Sequence, residues 1–287
     1  MSAHPERAAM ARLTVLIVNY NSGQWLKRCV ETFFDPKAQR PTVLIWDNAS
    51  TDGSLDELAA SPAIEVHASP DNVGFAAGIN ALAKWVTTDH MLILNPDGLI
   101  QPAAVARLLA ELDEHPNAGL VSGRVFGLDG REQRGSRRQL PNPKRILEEV
   151  LGNGTGIDLM STPPPTESVE VEAVSGACMM LRTPIFQSLG GFDAAYPMHF
   201  EDLDLMARIQ EAGWHVRLVP DVAIAHAGGV SSNHRAIGVL RDKHRGLWRY
   251  LKTHCQDQWP FWFRPLWWLA IHLHLWVMTP ITWWRSR

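Results

Sequence analysis

The residues best equipped for chemistry in this 287-residue chain are carboxylates, amides and a histidine placed at the ends of apolar runs. Asn95-Pro96-Asp97 directly follows Met91-Leu92-Ile93-Leu94. An uncharged aliphatic run reads as a buried strand, and a residue before proline is held extended, so Asp97 is expected at the strand's C-terminal end. Open α/β sheets bind their ligands there. A carboxylate on fixed backbone suits a metal-bound phosphate, but Pro96-Asp97-Gly98 equally suits an ordinary turn, and the local sequence leaves both open. Asn19-Tyr20-Asn21, Asp47-Asn48 and His226 also end apolar runs, and the Asn72 loop and the Glu201-Asp202 helix start add further polar groups. Converging on one sheet edge, these groups favour the catalytic reading of Asp97. Glu201, Asp202 and Asp204 also suit simple capping of a helix N-terminus, and His226 a satisfied histidine at a hairpin end.

Alternating strands and helices must position them. Leu13–Val18, Thr42–Trp46, Ile64–His67 and Met91–Leu94 read as strands. Trp25–Phe34, a segment through Leu58 capped by Ser50-Thr51-Asp52-Gly53, Phe75–Val86 and Pro102–Leu112 read as helices. This alternation implies an α/β fold with a mostly parallel sheet. Gly119–Ser122, Val169–Val174 and Ala177–Arg182 add strands, Phe200–Ala212 a helix, and Val216–Val219 with Val222–Ala225 a late hairpin ending at His226. Between Arg124 and Arg145 seven basic residues face two acids, which reads as a solvated loop or as a mobile basic flap over an anionic ligand. Gly152–Pro165 reads as a linker-like loop.

Composition narrows the class. A net charge of -3 with 46% hydrophobic residues describes a globular chain with no global bias toward nucleic acid. Three scattered cysteines, Cys29, Cys178 and Cys255, lack metal-ligand spacing and point to reduced thiols in a cytosolic setting. Residues 1–11 carry no apolar core, so a disordered tail is expected rather than a secretory signal. No Gly-x-Gly-x-x-Gly follows the first strand and no Walker loop is present, which removes the dinucleotide and phosphate-loop readings.

Taken in order, Val18-Asn19-Tyr20-Asn21, Asp47-Asn48-Ala49-Ser50-Thr51-Asp52-Gly53, Asn72-Val73-Gly74-Phe75-Ala76-Ala77-Gly78-Ile79-Asn80, Asn95-Pro96-Asp97, Gly190-Gly191-Phe192-Asp193, Glu201-Asp202-Leu203-Asp204-Leu205 and His226-Ala227-Gly228-Gly229 resemble family 2 glycosyltransferases of the GT-A fold, in the bacterial rhamnosyltransferase-like branch. The resemblance spans about Leu13 to Ser232. It implies a GT-A domain over 12–232 and a donor that is a nucleoside-diphosphate sugar. Asn19, Tyr20, Asn21, Asp47 and Asn48 would hold base and ribose, and Asn72, Gly74 and Asn80 would add to the nucleotide and sugar pocket. Asp97 matches the second acid of the family's Asp-x-Asp metal motif, with Asn95 replacing the first and free to contact the ribose. His226 matches a late histidine that completes metal or diphosphate coordination, and Asp202 of the Glu201-Asp202 pair matches the general base. The implied cofactor is Mg²⁺ or Mn²⁺.

Inverting transfer needs a carboxylate to take the acceptor's proton and a cation to neutralise the departing diphosphate. Asp202 and Asp97 suit those roles. The favoured donor is dTDP-L-rhamnose, and the expected acceptor is lipid-linked or a polysaccharide. A non-catalytic nucleotide-sugar-binding scaffold and a metal-dependent hydrolase or nucleotidyltransferase stay open as alternatives. The remaining segment, 233–287, is basic, then tryptophan-rich: Pro265–Trp284 holds no Asp, Glu, Lys or Arg. Its histidines, threonines and Pro280 make it a poor membrane span, whereas tryptophans beside a basic helix suit an anionic headgroup region. Packing on the domain or on a second subunit is the other reading. The expectation is a cytoplasmic protein, peripheral on the inner face of the cell membrane.

Overall fold

The apolar runs of the first hundred residues fold as strands, with helices between them. The structure, a computed structural model, describes residues 10–33, 40–56, 58, 61–151, 157–160, 162–228 and 236–285. Its strands are β1 (Leu13–Asn19), β2 (Thr42–Asp47), β3 (Ile64–Ala68), β4 (His90–Leu94), β5 (Gly98–Leu99), β6 (Ala118–Phe126), β7 (Arg137–Arg138), β8 (Val169–Val171), β9 (Ala173–Val174), β10 (Cys178–Arg182) and β11 (His215–His226). Its α-helices are α1 (Gln24–Glu31), α2 (Phe75–Leu82), α3 (Pro102–Glu114), α4 (Pro143–Leu151), α5 (Thr183–Ser188), α6 (Glu201–Glu211), α7 (Ala236–His254) and α8 (Arg264–Arg285).

The main sheet runs β3-β2-β1-β4-β10-β6-β11-β5, with β8 also paired to β11. Neighbours among β3, β2, β1 and β4 are parallel, as are β6 and β11, while β10 runs antiparallel between β4 and β6. Both faces are covered, which is why β1 is buried along its length and its aliphatic run over residues 15–18 does not alternate with polar residues. Leu16 and Val18 enter one apolar cluster with Ile79, Leu82, Leu205 and Met206. Val15 and Ile17 enter the other, with Leu26, Cys29, Leu108 and Leu109. Helix α2 lies so close to the sheet that a Cβ on Gly78 would sit 2.9 Å from both Trp46 and Val18, so a glycine is needed there.

Several expectations change. The late hairpin is a single strand, β11, whose pairing with β6 shifts register between Val219 and Ala223. The bulge packs onto Gly123, where a Cβ would lie 2.4 Å from Val222, and it imitates two strands in sequence because it interrupts the alternation. Near Leu58 the described residues form turns over 54–56 rather than a helix. Helix α4 replaces the end of the expected loop. The basic stretch is held by ion pairs: Glu132 meets Arg124 at 2.8 Å and Arg137 at 3.0 Å, and Arg134 meets Asp158 at 2.9 Å. Residues 1–9 of the expected tail lie outside the described residues, while Met10 is buried. All three cysteines are buried free thiols.

The C-terminal helices join the same core. Tyr250, Leu251 and Cys255 are buried in the cluster that holds Leu205 and Met206. His254 of α7 bridges two acids of α6, with Nε2 2.9 Å from Asp204 and Nδ1 2.8 Å from Glu211. Burial opposes its charge, but these two carboxylates outweigh burial and raise its pKa. Asp204 also accepts from Arg208 at 2.8 Å and is structural. A raised histidine pKa stabilises the fold below the unfolded value near 6.5, and that stability is lost as pH rises through the folded value. His254→Ala should therefore cost about 1–2 kcal/mol at pH 6 and less at pH 9, checked by urea unfolding at both. An equal cost at both values would mean that the ring acts only by packing.

Candidate active site

Two polar clusters form at the C-terminal edge of the sheet. The first begins at the end of β4, where Gly98 N donates to Asn95 O at 2.9 Å and closes the Asn95-Pro96-Asp97-Gly98 turn. The segment is a turn, and the turn aims a carboxylate. Asp97 is buried, with Oδ2 accepting from Gly228 N at 2.8 Å and its carbonyl from Ala227 N at 3.2 Å. Pairing of His226 with Gly98 brings the histidine alongside. His226 Nε2 lies 3.2 Å from Asp97 Oδ1 and 3.2 Å from Asn95 Nδ2, and Nδ1 lies 2.9 Å from Gln133 Oε1.

These atoms fit a divalent cation. A carboxylate oxygen and an imidazole nitrogen 3.2 Å apart have a bite close to the ~3 Å expected of neighbouring ligands on a small octahedral ion. Oxygen and imidazole donors suit Mn²⁺ or Mg²⁺, with further positions left for phosphate oxygens and water. Among the described residues, the grouping of Glu111, Glu114 and His115 does not fit, because Glu111 already binds Arg107 and Arg217 at 2.9 and 2.7 Å.

The second cluster opens α6. Asp202 is buried and forms an ion pair with Arg138 of β7, while Asp202 Oδ1 accepts from Leu203 N at 2.9 Å. Burial alone would raise its pKa, but the Arg138 guanidinium outweighs burial and holds the carboxyl below its usual range. Glu201 goes the other way: burial, then the Asp202 charge, push it up to about 8. Its buried Oε2 has no hydrogen-bond partner among the described residues, an exception to the rule that buried polar atoms are paired. His199 Nε2 is likewise buried without a partner, and burial with the Lys243 charge keeps the ring neutral. His199 and Phe200 have left-handed φ of 64° and 71°. Two such residues in succession are strained, and they stand immediately before the acidic pair. Gly176 makes room for the aspartate, since a Cβ there would sit 2.8 Å from Asp202 Oδ2.

The remaining predicted residues shape loops at the same edge. Asn19 donates to Asp47 Oδ1 at 2.7 Å and to Ser54 Oγ at 2.8 Å, and Asp47 Oδ2 accepts from Ser50 N at 3.0 Å. Asn21 Oδ1 accepts from Thr51 N at 2.8 Å, locking the loops after β1 and β2 together. Asn48 reaches the other way, accepting from Val73 N at 3.2 Å and donating to Gly74 O at 3.3 Å. Asn72 Oδ1 accepts from Gly74 N at 2.9 Å, and Gly74 takes φ 87° before α2. Tyr20 is partly exposed beside Asn21. Asn80 is committed to structure: it bonds Phe192 N and O, each at 2.8 Å, and a Cβ on Gly191 would lie 2.4 Å from its Oδ1.

Sequence reasoning missed Gln133, Arg138, His199 and Gly176. Arg138 lies inside the basic stretch, and no local pattern distinguishes it from the six other basic residues there.

The sequence profile of "Glycosyl transferase family 2" matches residues 14–189. An N-acetylglucosaminyl-diphospho-decaprenol L-rhamnosyltransferase of Mycobacterium tuberculosis is 28% identical over 267 residues, covering 83% of this chain and 86% of its own. The low-salt glycan biosynthesis hexosyltransferase Agl10 of Haloferax volcanii is 23% identical, over 68% of this chain and 61% of its own. Among solved structures, a Pyrobaculum calidifontis mannosyltransferase in complex with GDP-Man and Mn²⁺ superposes with TM-score 0.56 at 17% identity, covering 96% of this chain and 72% of its own. GalNAc-T7 with UDP, GalNAc and Mn²⁺ gives 0.55 at 16%, covering 75% and 42%. The two structural likenesses are in fold, and the GT-A architecture expected from the seven motifs is the one observed.

A carboxyl held neutral by burial destabilises the fold as pH rises from the unfolded value of 4.5 toward about 8, because the unfolded chain releases that proton first. Glu201→Gln should remove this slope and raise the melting temperature at pH 8 by at least ~2 °C relative to its effect at pH 4.5, read by thermal unfolding at both. Identical shifts at both values would place the Glu201 carboxyl in contact with water.

Proposed function

The chain belongs to glycosyl transferase family 2, and from that premise we propose that it is an inverting, metal-dependent hexosyltransferase. It moves rhamnose or a related deoxysugar from a nucleoside-diphosphate sugar, dTDP-L-rhamnose being favoured, to a hydroxyl of a lipid-linked or polysaccharide acceptor in cell-surface glycan synthesis. The likeness to a rhamnosyltransferase named for a decaprenol-linked substrate supports the sugar and the acceptor class. The observation that carries the reading is the pairing of two unlike sites at one sheet edge: Asp97 with His226 on one side, and the ionised, buried Asp202 beside the neutral Glu201 on the other.

In this reading Asp97 and His226 hold Mg²⁺ or Mn²⁺, which when bound would neutralise charge on the leaving diphosphate. Asp202 accepts the proton of the acceptor hydroxyl as that oxygen bonds to the anomeric carbon. The bond from that carbon to the diphosphate breaks on the opposite face, and the nucleoside diphosphate departs with the electron pair. Arg138 keeps Asp202 ionised and turned toward Gly176. Glu201, carrying its proton, donates a hydrogen bond to a sugar or acceptor oxygen. The loops held by Asn19, Asp47 and Asn48 receive base and ribose, since Asp47 keeps lone pairs for a ligand beyond those it spends internally. Tyr20 and Asn21 flank them, and Asn72 and Gly74 line the nucleotide side.

The C-terminal segment supports a membrane-surface location at the cytoplasmic face. Arg264, Trp267, Ile271, Leu275 and Met278 recur at helical spacing along the sheltered side of α8, and Ile271 is buried. The opposite side exposes Leu266, Leu269, Leu273, Trp276, Val277 and Trp284, with Trp276 and Trp284 exposed at 74% and 75%. A helix apolar all round is normally covered on both sides, and exposed indoles suit a headgroup layer. No helix among the described residues is long and apolar enough to cross a membrane.

Two measurements test the reading. In a thermal-shift panel of nucleotide sugars, dTDP-L-rhamnose with Mn²⁺ should stabilise the protein most, and Asp202→Asn should keep that shift while losing transfer by ~10²–10⁴-fold. Donor hydrolysis as fast as transfer, or wild-type turnover in Asp202→Asn, would overturn it. For the membrane, Leu273→Glu with Trp276→Glu should abolish sedimentation with anionic vesicles without lowering the melting temperature. Undiminished vesicle binding, or a dimer that covers this face in solution, would refute the interfacial role.

A further inference from the structure

Gln133 touches nothing that reacts, yet it decides which atom of His226 is available to do so. It stands on the return of a tight hairpin beyond β6: Gly127 N donates to Arg131 O at 2.8 Å, and Gln133 N donates to Val125 O at 2.8 Å. This anchoring points the side chain at the end of β11, where it makes two bonds to one residue. Nε2 donates to the His226 carbonyl at 2.7 Å, and Oε1 lies 2.9 Å from His226 Nδ1. A carbonyl oxygen can only accept, so the amide has one sensible orientation, with its NH₂ on the carbonyl and its oxygen on the ring. An amide oxygen can also only accept. His226 Nδ1 must therefore carry hydrogen, and in the neutral ring Nε2 is left as a bare lone pair.

That lone pair faces two groups, Asn95 Nδ2 at 3.2 Å, a donor that satisfies it, and Asp97 Oδ1 at 3.2 Å, a second electron-rich atom. Two lone pairs held at that distance repel unless a proton or a metal cation lies between them, and with Nδ1 already carrying hydrogen a divalent cation can take that place without charging the ring. The carboxylate cannot turn aside freely, because its other oxygen is bound by Gly228 N at 2.8 Å. We propose that Gln133 is a positioning residue for the divalent cation, holding His226 as its Nδ1–H tautomer so that Nε2 is presented with Asp97 as a two-atom chelate. The inference rests on the metal reading of Asp97 and His226, and it adds a residue that lies outside every motif of the sequence. Outer-shell partners that fix a ligating histidine in this way change metal affinity by about 10–100-fold when removed.

The test has two arms. In metal-free wild-type protein at pH 8, ¹⁵N shifts of labelled His226 should show a protonated Nδ1 and a bare Nε2. A ring protonated at Nε2 alone would overturn the inference whatever the fate of the metal reading. In the second arm Mn²⁺ is titrated by electron paramagnetic resonance into protein saturated with dTDP. His226→Ala should weaken Mn²⁺ binding, and Gln133→Leu and Gln133→Met should each weaken it about 10-fold, with metal-free dTDP affinity and melting temperature within twofold and ~2 °C of wild type. If His226→Ala leaves Mn²⁺ affinity unchanged, the metal reading fails while the tautomer result stands. If His226→Ala weakens it and both Gln133 variants do not, the positioning role is refuted.

Discussion

The short antiparallel pairing of β5 with the end of β11 is the constraint on which the site depends. Only two residue pairs form it, Leu99 with Ala225 and Gly98 with His226, yet it closes a loop of well over a hundred residues. It sets His226 beside the turn that carries Asp97, and Gly228 N then locks the carboxylate. A contact this non-local forms only if the intervening chain is already folded, because closing so long a loop costs entropy that the pair alone cannot repay. The intervening sheet supplies that order: β10 runs between β4 and β6, and β11 adds to β6 along nearly its whole length. The bulge at Val219–Ala223 then sets which residues reach Leu99 and Gly98.

The second cluster depends on a different support. Asp202 and Glu201 open α6 behind two residues in left-handed backbone, and such strain persists only where packing overdetermines it. Helix α7 provides this packing. Phe200 lies 6.1 Å from Tyr250, and Gly246 approaches so closely that a Cβ would sit 3.0 Å from Phe200 Cδ2. Farther along, His254 ties Asp204 and Glu211 to the same helix. The segment that carries the exposed tryptophans is thus attached, through α7, to the helix that carries the acidic pair.

How much of this is legible in the sequence follows from what each feature depends on. β1, β2, β4 and the acids at their ends are legible because continuous apolar runs have few alternative placements and their termini are marked by Asn, Asp and Pro. The bulge in β11 is not, because it depends on Gly123 in a neighbouring strand, and in one dimension it is identical to a turn between two strands. Asn19, Asn48 and Asn80 are legible as important and less so as to role. Their amides tie loops or backbone together, and a motif residue that builds the pocket wall leaves the same mark as one that touches ligand. Gln133 and Arg138 are silent, since each acts across the fold on a residue distant in sequence.

Asn95 shows how charge is apportioned between the clusters. A second carboxylate at that position would stand beside Asp97 at the same turn, and like charges at one site raise the cost of ionising both. The amide avoids that cost and pairs with His226 Nε2, so the cluster is electrically lighter and its polar atoms are paired within it. The same economy appears at α6, where adjacent acids are kept in different protonation states, Asp202 charged against Arg138 and Glu201 neutral through burial. Each cluster therefore sets one carboxylate against a fixed partner, Gly228 N for Asp97 and Arg138 for Asp202. The edge thereby carries less uncompensated negative charge than two carboxylates per cluster would give it.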